Sequence, residues 1–337
     1  MSPSEEARGS RRRWVRFALA GALLVVAIVS GPRERFNERW VEAELPENLD
    51  AYFAAAERDV PHLRSEAARG IVWANPATRA RTELSVVYLH GFSADRHELE
   101  PLVGDLGAAL DANVYFARLA GHGRDSGAMG DVAVEDWLAD ASEAVAIGAR
   151  IGERVVLIGT STGGTLAAWA ANRPEARDQV AALVLVSPNF QPRDHSSRLL
   201  LYPWGGLIAR LVVGEERCFT AVNEEQALHW TTCYPTRALL PMMALVESVR
   251  TADLGGIEAP TLVVFSRSDA VVDAEETERV LGGLTGTEPE LFAFTGSTDE
   301  AQHVLAGDVI SPSSTEALRE RVLAFLEPLR LGGEGQE

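Results

Sequence analysis

The sequence contains no lysine, only two cysteines and a large excess of acidic over basic residues. With 49 acidic residues and 31 arginines, the formal net charge is −18. Nucleic acid is therefore excluded as the main partner, because phosphate binding requires a basic face. Cys218 and Cys233 are too few for a disulfide scaffold and lack the companions of a zinc cluster. We predict no metal and no cofactor for this chain. The lack of lysine is typical of a codon bias and indicates no function.

Residues 1–40 differ from the rest of the chain and form a predicted export signal or membrane anchor. From Phe17 to Gly31, fifteen residues carry no charge. This length lies between a signal-peptide core and the roughly 20 residues of a transmembrane helix. Poor cleavage sites near Ser30, and Trp14 at headgroup level, favour an uncleaved anchor over residues 14–31. A cleaved signal and a buried helix of the main domain are the alternatives.

The arginines around this segment predict its orientation. Five precede it and three follow it, so the amino end stays in the cytoplasm and the main domain is exported. We therefore expect a membrane-anchored protein, or a secreted or periplasmic one if the signal is cleaved. In an oxidising compartment Cys218 and Cys233 could pair, and two free buried thiols are the alternative.

The remainder of the chain alternates short apolar runs with longer helical patterns, and its overall composition, 46 % hydrophobic, excludes disorder. Such runs, separated by helices, indicate a mostly parallel sheet covered on both faces, so the predicted fold class is α/β. The predicted strands are SVVYLHG (85–91), NVYFARL (113–119), RVVLIG (154–159), AALVLVS (181–187), TLVVFS (261–266) and ELFAF (290–294).

This pattern predicts that the chain divides into four parts. Between AALVLVS and TLVVFS lie about 75 residues, too many for a simple crossover, so this insertion should carry its own helices. Turn residues mark its two ends. The parts are the export segment 1–40, a linker 41–70 with a helix over 47–60, the α/β core 71–187 and 256–330, and the insertion 188–255.

The segment GTSTG (159–163) has the form G-x-S-x-G, a weak motif by itself. Its context is more specific, because the apolar residues 154–158 predict a strand entering it and residues 165–176 a helix leaving it. A sharp strand-to-helix turn lifts the oxygen of Ser161 above the sheet edge, and Gly159 and Gly163 leave room for neighbouring backbone. Ser161 is therefore the predicted nucleophile. The alternative is a glycine-rich turn around a buried serine.

A serine nucleophile needs a base, and the base needs an orienting acid. In this architecture the acid and then the histidine follow the serine along the chain. His303 is the predicted base, with a surface loop histidine as the alternative. Asp269, three residues past TLVVFS, is the predicted acid and Asp273 its alternative. The other histidines precede the serine or lie in the insertion: His62, His90, His97, His122, His195 and His229.

Two backbone amides form the predicted oxyanion hole. One belongs to Thr162, directly after the nucleophile, and the other to Phe92 in the loop after the strand 86–90. Gly91 permits the turn that points the Phe92 amide inward. His90 is interpreted as a residue that fixes this loop. A purely structural role for residues 90–92 is the alternative.

Five short segments occur in the order of one known family: HGF (90–92), GHGR (121–124), GTSTGG (159–164), SDAVVD (268–273) and QHV (302–304). Over residues of about 71–328 the chain resembles the serine-hydrolase branch of the α/β-hydrolase fold that contains monoacylglycerol lipases, lysophospholipases and carboxylesterases. The resemblance implies a triad of Ser161, Asp269 and His303, with Phe92 and Thr162 as oxyanion donors. It also implies that the insertion is a helical cap after the sixth strand and that His122 is structural.

The resemblance further implies hydrolysis of carboxylic esters, monoacylglycerol-like or other acyl esters, through an acyl-serine intermediate. The apolar segment 199–213 would receive an acyl chain, pack the cap onto the core, or touch a membrane. Thr160 and Thr162 stand where many members carry His and Met, which predicts a smaller and more polar pocket. A thioesterase, acyltransferase or peptidase with the same triad, and a non-catalytic membrane-tethered binding domain, are the alternatives.

Overall fold

The computed structural model describes residues 14, 17–19, 21–22 and 25–331. Its strands are Gly70–Val72 (β1), Thr82–Leu89 (β2), Asn113–Phe116 (β3), Gly152–Thr160 (β4), Val180–Val186 (β5), Glu216–Cys218 (β6), Cys233–Pro235 (β7), Thr261–Phe265 (β8) and Glu290–Ala293 (β9). A seven-stranded sheet has the order β1-β3-β2-β4-β5-β8-β9, and β6 and β7 pair separately.

The central sheet is parallel except at one edge, where β1 runs antiparallel to β3. All six predicted strands are present, with ends that differ from the prediction by up to three residues. The three residues of β1 were not predicted, because a short edge strand that is half exposed lacks a continuous apolar run. The predicted α/β class with a mostly parallel sheet is confirmed.

Helices cover both faces of this sheet, and others lie in the segment 188–255. The helices are Leu49–Arg58 (α1), Glu100–Ala109 (α2), Val134–Ile151 (α3), Thr162–Ala171 (α4), Pro174–Arg177 (α5), Gly205–Val213 (α6), Glu224–His229 (α7), Leu239–Thr251 (α8), Ala274–Leu281 (α9) and Pro312–Leu331 (α10). Alternate residues of β2 belong to opposite cores: Val87 and Leu89 pack with α3, α4 and α8, whereas Val86 and Tyr88 pack with α2 and α10. A strand that is buried on both faces reads as a continuous apolar run, which explains why the pattern predicted it.

Helix α1 begins two residues after the predicted start and ends two before the predicted end. It starts where the side chain of Asn48 accepts a hydrogen bond from the Ala51 amide at 3.0 Å, which satisfies one free donor of the first turn. Leu49 and Phe53 are buried against the core.

The segment 188–255, the predicted cap, leaves the sheet after β5 and contains α6, α7, α8 and the β6–β7 hairpin. In chain order β5 is the fifth strand here. Cys218 and Cys233 are opposite each other in the hairpin and form a disulfide, with Cα atoms 4.1 Å apart. Of the two alternatives for these cysteines, the structure contains the bridge.

The predicted anchor is only partly covered by the structure, since residues 1–13, 15–16, 20 and 23–24 lie outside the described positions. Within the described part of the chain, no helix combines the length and the apolar character needed to cross a membrane.

Candidate active site

Ser161 lies at the turn between β4 and α4, at the carboxyl edge of the sheet. Its backbone has φ 52° and ψ −118°, a conformation that costs a residue with a side chain about 1–3 kcal/mol. A Cβ on Gly163 would lie 2.1 Å from the carbonyl oxygen of Leu89, and one on Gly159 would lie 2.4 Å from that of Gly163. Both glycines are therefore required for the turn that presents the serine.

His303 and Asp269 lie beside this serine. The Nε2 atom of His303 is 3.1 Å from Ser161 Oγ, and its Nδ1 atom is 2.8 Å from Asp269 Oδ2. All three side chains are buried, so water competes little for these hydrogen bonds. The structure thus brings the predicted nucleophile, base and acid into one hydrogen-bonded row, although they are distant in the chain.

The turn after β8 positions Asp269. Its Oδ1 atom accepts hydrogen bonds from the amides of Val271 and Val272 at 2.8 and 2.9 Å, which leaves Oδ2 for the histidine. The alternative acid, Asp273, lies elsewhere: it caps the start of α9, and its Oδ2 atom is 2.6 Å from Nε2 of His195. The geometry therefore favours Asp269 over Asp273 as the partner of His303.

Two further side chains hold the loop that carries His303. Asp299 accepts from the backbone amide of His303 at 2.9 Å, and Ser187 Oγ donates to its carbonyl oxygen at 2.7 Å. Burial by itself lowers the pKa of His303, but the Asp269 carboxylate, together with the charges of Glu98 and Asp299, raises it above its usual value. The imidazolium form is thus stabilised where a proton would arrive from Ser161.

Phe92 and Thr162, the predicted oxyanion donors, line the same cleft as Ser161 and His303. Within the described residues, neither backbone amide donates to a protein acceptor. Free amides beside a serine oxygen are the groups that stabilise a developing oxyanion.

Glu98 is a buried site residue that the sequence did not reveal. Its Oε2 atom accepts hydrogen bonds from the Gly91 amide at 2.7 Å and the Tyr88 hydroxyl at 2.8 Å. Burial raises the pKa of this carboxyl despite both donors. A Cβ on Gly91 would lie 2.8 Å from Glu98 Oε1, so a side chain there would displace this carboxylate. Glu98 holds the turn before Phe92, and no local pattern marks it because only the folded turn brings its partners together.

His90 and His122 lie behind this turn and are fully buried. His90 Nε2 accepts from the Leu119 amide at 3.1 Å, while its Nδ1 faces the Gly91 carbonyl at 3.0 Å. Burial lowers the pKa of His90 to about 4 and that of His122 to about 3, so both are neutral at ordinary pH. These contacts fit the structural roles that were predicted for both residues.

The cleft above Ser161 has a volume of about 390 Å³ and lies between the core and the segment 188–255. A neighbouring cavity of about 290 Å³ shares wall residues with it, so the two are adjacent. The shared residues are Pro192, Arg217, Leu239, Met242 and Val271. Aliphatic side chains of α6 line the second cavity, among them Ile208, Ala209 and Val212. A mostly apolar cavity next to a nucleophile suits a ligand with a hydrocarbon part.

A parallel sheet with a strained serine turn and a histidine–aspartate pair at its carboxyl edge defines the class of α/β-hydrolase-fold enzymes. The sequence profile of the Hydrolase_4 family, described as serine aminopeptidase S33, matches residues 80–303, more than half of the chain. The protein belongs to this family. A thermostable monoacylglycerol lipase from Bacillus sp. strain H-257 is 26 % identical over 243 residues, which cover 72 % of this chain and 92 % of that protein.

Solved structures of lipolytic enzymes share the fold. One structure from work on two metagenome-derived lipolytic enzymes matches with a TM-score of 0.65 at 21 % identity, over 79 % of this chain and 99 % of its own. A soluble variant of monoglyceride lipase from Saccharomyces cerevisiae, in complex with a substrate analogue, matches with a TM-score of 0.58 at 13 % identity. The match covers 80 % of this chain and 96 % of that one. The predicted α/β-hydrolase fold is confirmed. The family match and the lipase relative also confirm the predicted class, a serine hydrolase.

Proposed function

We propose that Ser161 is the nucleophile of this hydrolase, that His303 is its general base and acid, and that Asp269 orients the histidine. The row of hydrogen bonds from Asp269 through His303 to Ser161 carries this assignment. His303 Nε2 takes the proton as Ser161 Oγ attacks the ester carbonyl, and it gives that proton to the departing alcohol. A water molecule then attacks the acyl-serine carbonyl while His303 Nε2 takes its proton. The proton passes to Ser161 Oγ as the carboxylic acid leaves.

The amides of Phe92 and Thr162 are the proposed donors to the carbonyl oxygen as it becomes negative. Glu98 is the proposed positioning residue for this loop, because it holds Gly91 through the backbone amide. The hydroxyl of Thr162 is buried without a partner in the described structure, which leaves a polar group near the reacting centre.

The proposed substrates are monoacylglycerol-like esters with the acyl chain in the apolar cavity under α6. Support comes from the wall residues that this cavity shares with the cleft containing Ser161, and from its aliphatic lining. The cleft itself also carries polar groups, including Asn189, Arg217, Gln226 and Asp299, and these could bind a small hydroxylated alcohol. The 26 % identical lipase supports the same substrate class.

The first experiment is fluorophosphonate labelling of the folded protein, followed by peptide mapping. We expect label on Ser161, loss of label in Ser161→Ala and strong loss in His303→Ala. Ser197→Ala is a matched control, since Ser197 lies on the wall of the second cavity and hydrogen-bonds Gln191. Absence of label on folded protein would contradict the assignment and favour a binding domain.

An ester panel then tests the substrate class. Monoacylglycerols and p-nitrophenyl esters of increasing chain length should show an optimum set by the cavity under α6, and Ala209→Trp should move it to shorter chains. Faster turnover of acyl thioesters, or of aminoacyl anilides as the family description suggests, would overturn the ester assignment while leaving the Ser161 assignment intact.

We also propose that residues 14–31 attach the protein to a membrane, with the main domain on the exported side. Support comes from the fifteen uncharged residues and from the flanking arginines. The end of this segment contacts the predicted cap. Trp204 Nε1 donates to the Ala27 carbonyl oxygen at 3.1 Å, and the Trp204 backbone amide donates to that of Pro32, just after the segment, at 2.8 Å. Retention of the full chain, but not of residues 41–337, in carbonate-washed membranes would support it, and a mature chain starting after Ser30 or Gly31 would contradict it.

A further inference from the structure

Thr162, the residue directly after the proposed nucleophile, has a buried hydroxyl with no hydrogen-bond partner among the described residues. The residue is 1 % exposed and lines the cleft above Ser161. Burial of a hydroxyl without a partner is unfavourable, and such a group in a folded protein calls for an explanation. We infer that the Thr162 hydroxyl is a third donor of the oxyanion hole, beside the amides of Thr162 and Phe92. This inference rests on the proposed assignment of Ser161 as the nucleophile.

The two nearest threonines in the sequence differ from Thr162, because their hydroxyls have partners within the protein. Thr160 Oγ1 accepts a hydrogen bond from the Tyr88 hydroxyl at 3.2 Å. Thr165 Oγ1 donates to the carbonyl oxygen of Asn189 at 2.6 Å. Within the described part of the chain, only the Thr162 hydroxyl of these three is left for a group that enters the cleft.

Covalent geometry keeps this hydroxyl close to the amide of the same residue. A threonine in a helix adopts mainly the two χ1 rotamers that place Oγ1 about 3 Å from its own backbone nitrogen. Thr162 is the first residue of α4, where backbone amides have no acceptor in the helix itself. Its amide donates to no protein acceptor within the described residues. One substrate oxygen can therefore accept from the amide and the hydroxyl of Thr162 together.

The charges around the site favour a neutral donor at this position. Asp269, Glu98 and Asp299 raise the pKa of His303 by their negative charge. The same carboxylates disfavour a further negative charge on the substrate oxygen. A hydroxyl stabilises that oxygen without adding a positive charge, which would lower the pKa of His303.

The hydroxyl acts in the step that forms the tetrahedral intermediate. Ser161 Oγ bonds to the ester carbon, its proton passes to His303 Nε2, and the electron pair of the C=O double bond moves to the carbonyl oxygen. Thr162 Oγ1 donates a hydrogen bond to this oxygen and keeps its own proton. When the alcohol leaves, the C=O double bond forms again. Because the hydrogen bond is strongest to the charged oxygen, its loss should lower kcat more than it raises KM.

The experiment compares Thr162→Val and Thr162→Ser with the parent chain on one p-nitrophenyl ester. Valine has the shape of threonine but no hydroxyl, whereas serine keeps the hydroxyl. We expect Thr162→Val to lower kcat about 10²-fold with little change in KM, and Thr162→Ser to keep kcat within a few-fold. Affinity for a trifluoromethyl ketone, whose adduct with Ser161 carries an oxyanion, should fall with kcat. Thr162→Ala, which also lacks the hydroxyl, replaces the valine variant if that variant does not fold.

Thr231→Val is the matched control. Thr231 has another buried hydroxyl without a partner among the described residues, but it does not line the cleft. Both valine variants should have a raised melting temperature, because each removes an unsatisfied buried hydroxyl, and only Thr162→Val should lose kcat. A parent-like kcat in Thr162→Val, or a loss of kcat that serine does not restore, would overturn the inference. Absence of hydrolysis by the parent chain would contradict the Ser161 assignment as well.

Discussion

The pairs His303–Asp269 and His195–Asp273 contain the same two side chains in different surroundings. The hydrogen-bond distances are alike, 2.8 and 2.6 Å, but the His303 side chain is 10 % exposed and the His195 side chain 60 %. The first pair faces a serine, whereas the second caps a helix at the surface. We therefore expect only the first pair to act in catalysis, because it is buried and faces a serine at the sheet edge.

The largest expected difference is between variants that remove the histidine of one pair or of the other. His303→Ala should lower kcat for ester hydrolysis by about 10⁵–10⁶-fold, because the residues of a triad act as a unit. His195→Ala should change kcat by less than about threefold, since His195 contacts a helix cap rather than the serine. Steady-state kinetics on one p-nitrophenyl ester checks both variants, and equal losses would refute the distinction.

We expect substitution of Asp269 to lower activity and substitution of Asp273 to lower stability. Asp269→Asn should reduce kcat by about 10⁴-fold, because the histidine loses its orienting carboxylate. Asp273→Asn should leave kcat within a few-fold. Asparagine also caps helices well, so Asp273→Ala is the variant expected to cost about 1 kcal/mol in the free energy of unfolding. Kinetics together with denaturant unfolding checks this, and a large kcat loss in Asp273→Asn would make Asp273 the acid.

The pH dependence of activity should follow the buried pair alone. His303 must be neutral to accept a proton, so activity falls as the pH drops through its raised pKa. The acid limb of kcat/KM should therefore have its midpoint above about 6.5, the usual value for histidine. Glu98 also raises this pKa by its charge, so Glu98→Gln should move the midpoint to lower pH.

Asp273→Asn is the matched control for this shift, because Asp273 faces His195 instead of His303. Its pH profile should coincide with that of the parent. If Glu98→Gln lowers the activity but leaves the midpoint in place, Glu98 acts only by holding Gly91 and not through its charge.

Much of the fold followed from local patterns because the core strands are buried on both faces. The runs at 154–159 and 181–187 are apolar along almost their whole length, so they are recognisable as strands in the sequence. Strands β1 and β6 escaped prediction because their three residues each are exposed or half-exposed and carry little pattern, and β7 escaped because it is only three residues long. Glu98 and Asp299 escaped for another reason, since they act through backbone amides that only the folded loops bring near.

The sequence by itself determined the fold class, the identity of Ser161 and His303 as the residues to examine, and the place of the insertion. Chain order sufficed for these, because motif spacing and strand periodicity are local properties. Only the tertiary structure separated Asp269 from Asp273, paired the cysteines and placed the Thr162 side chain in the cleft. Those outcomes depend on distances between segments far apart in the chain, and such distances arise only when the sheet and the insertion have packed.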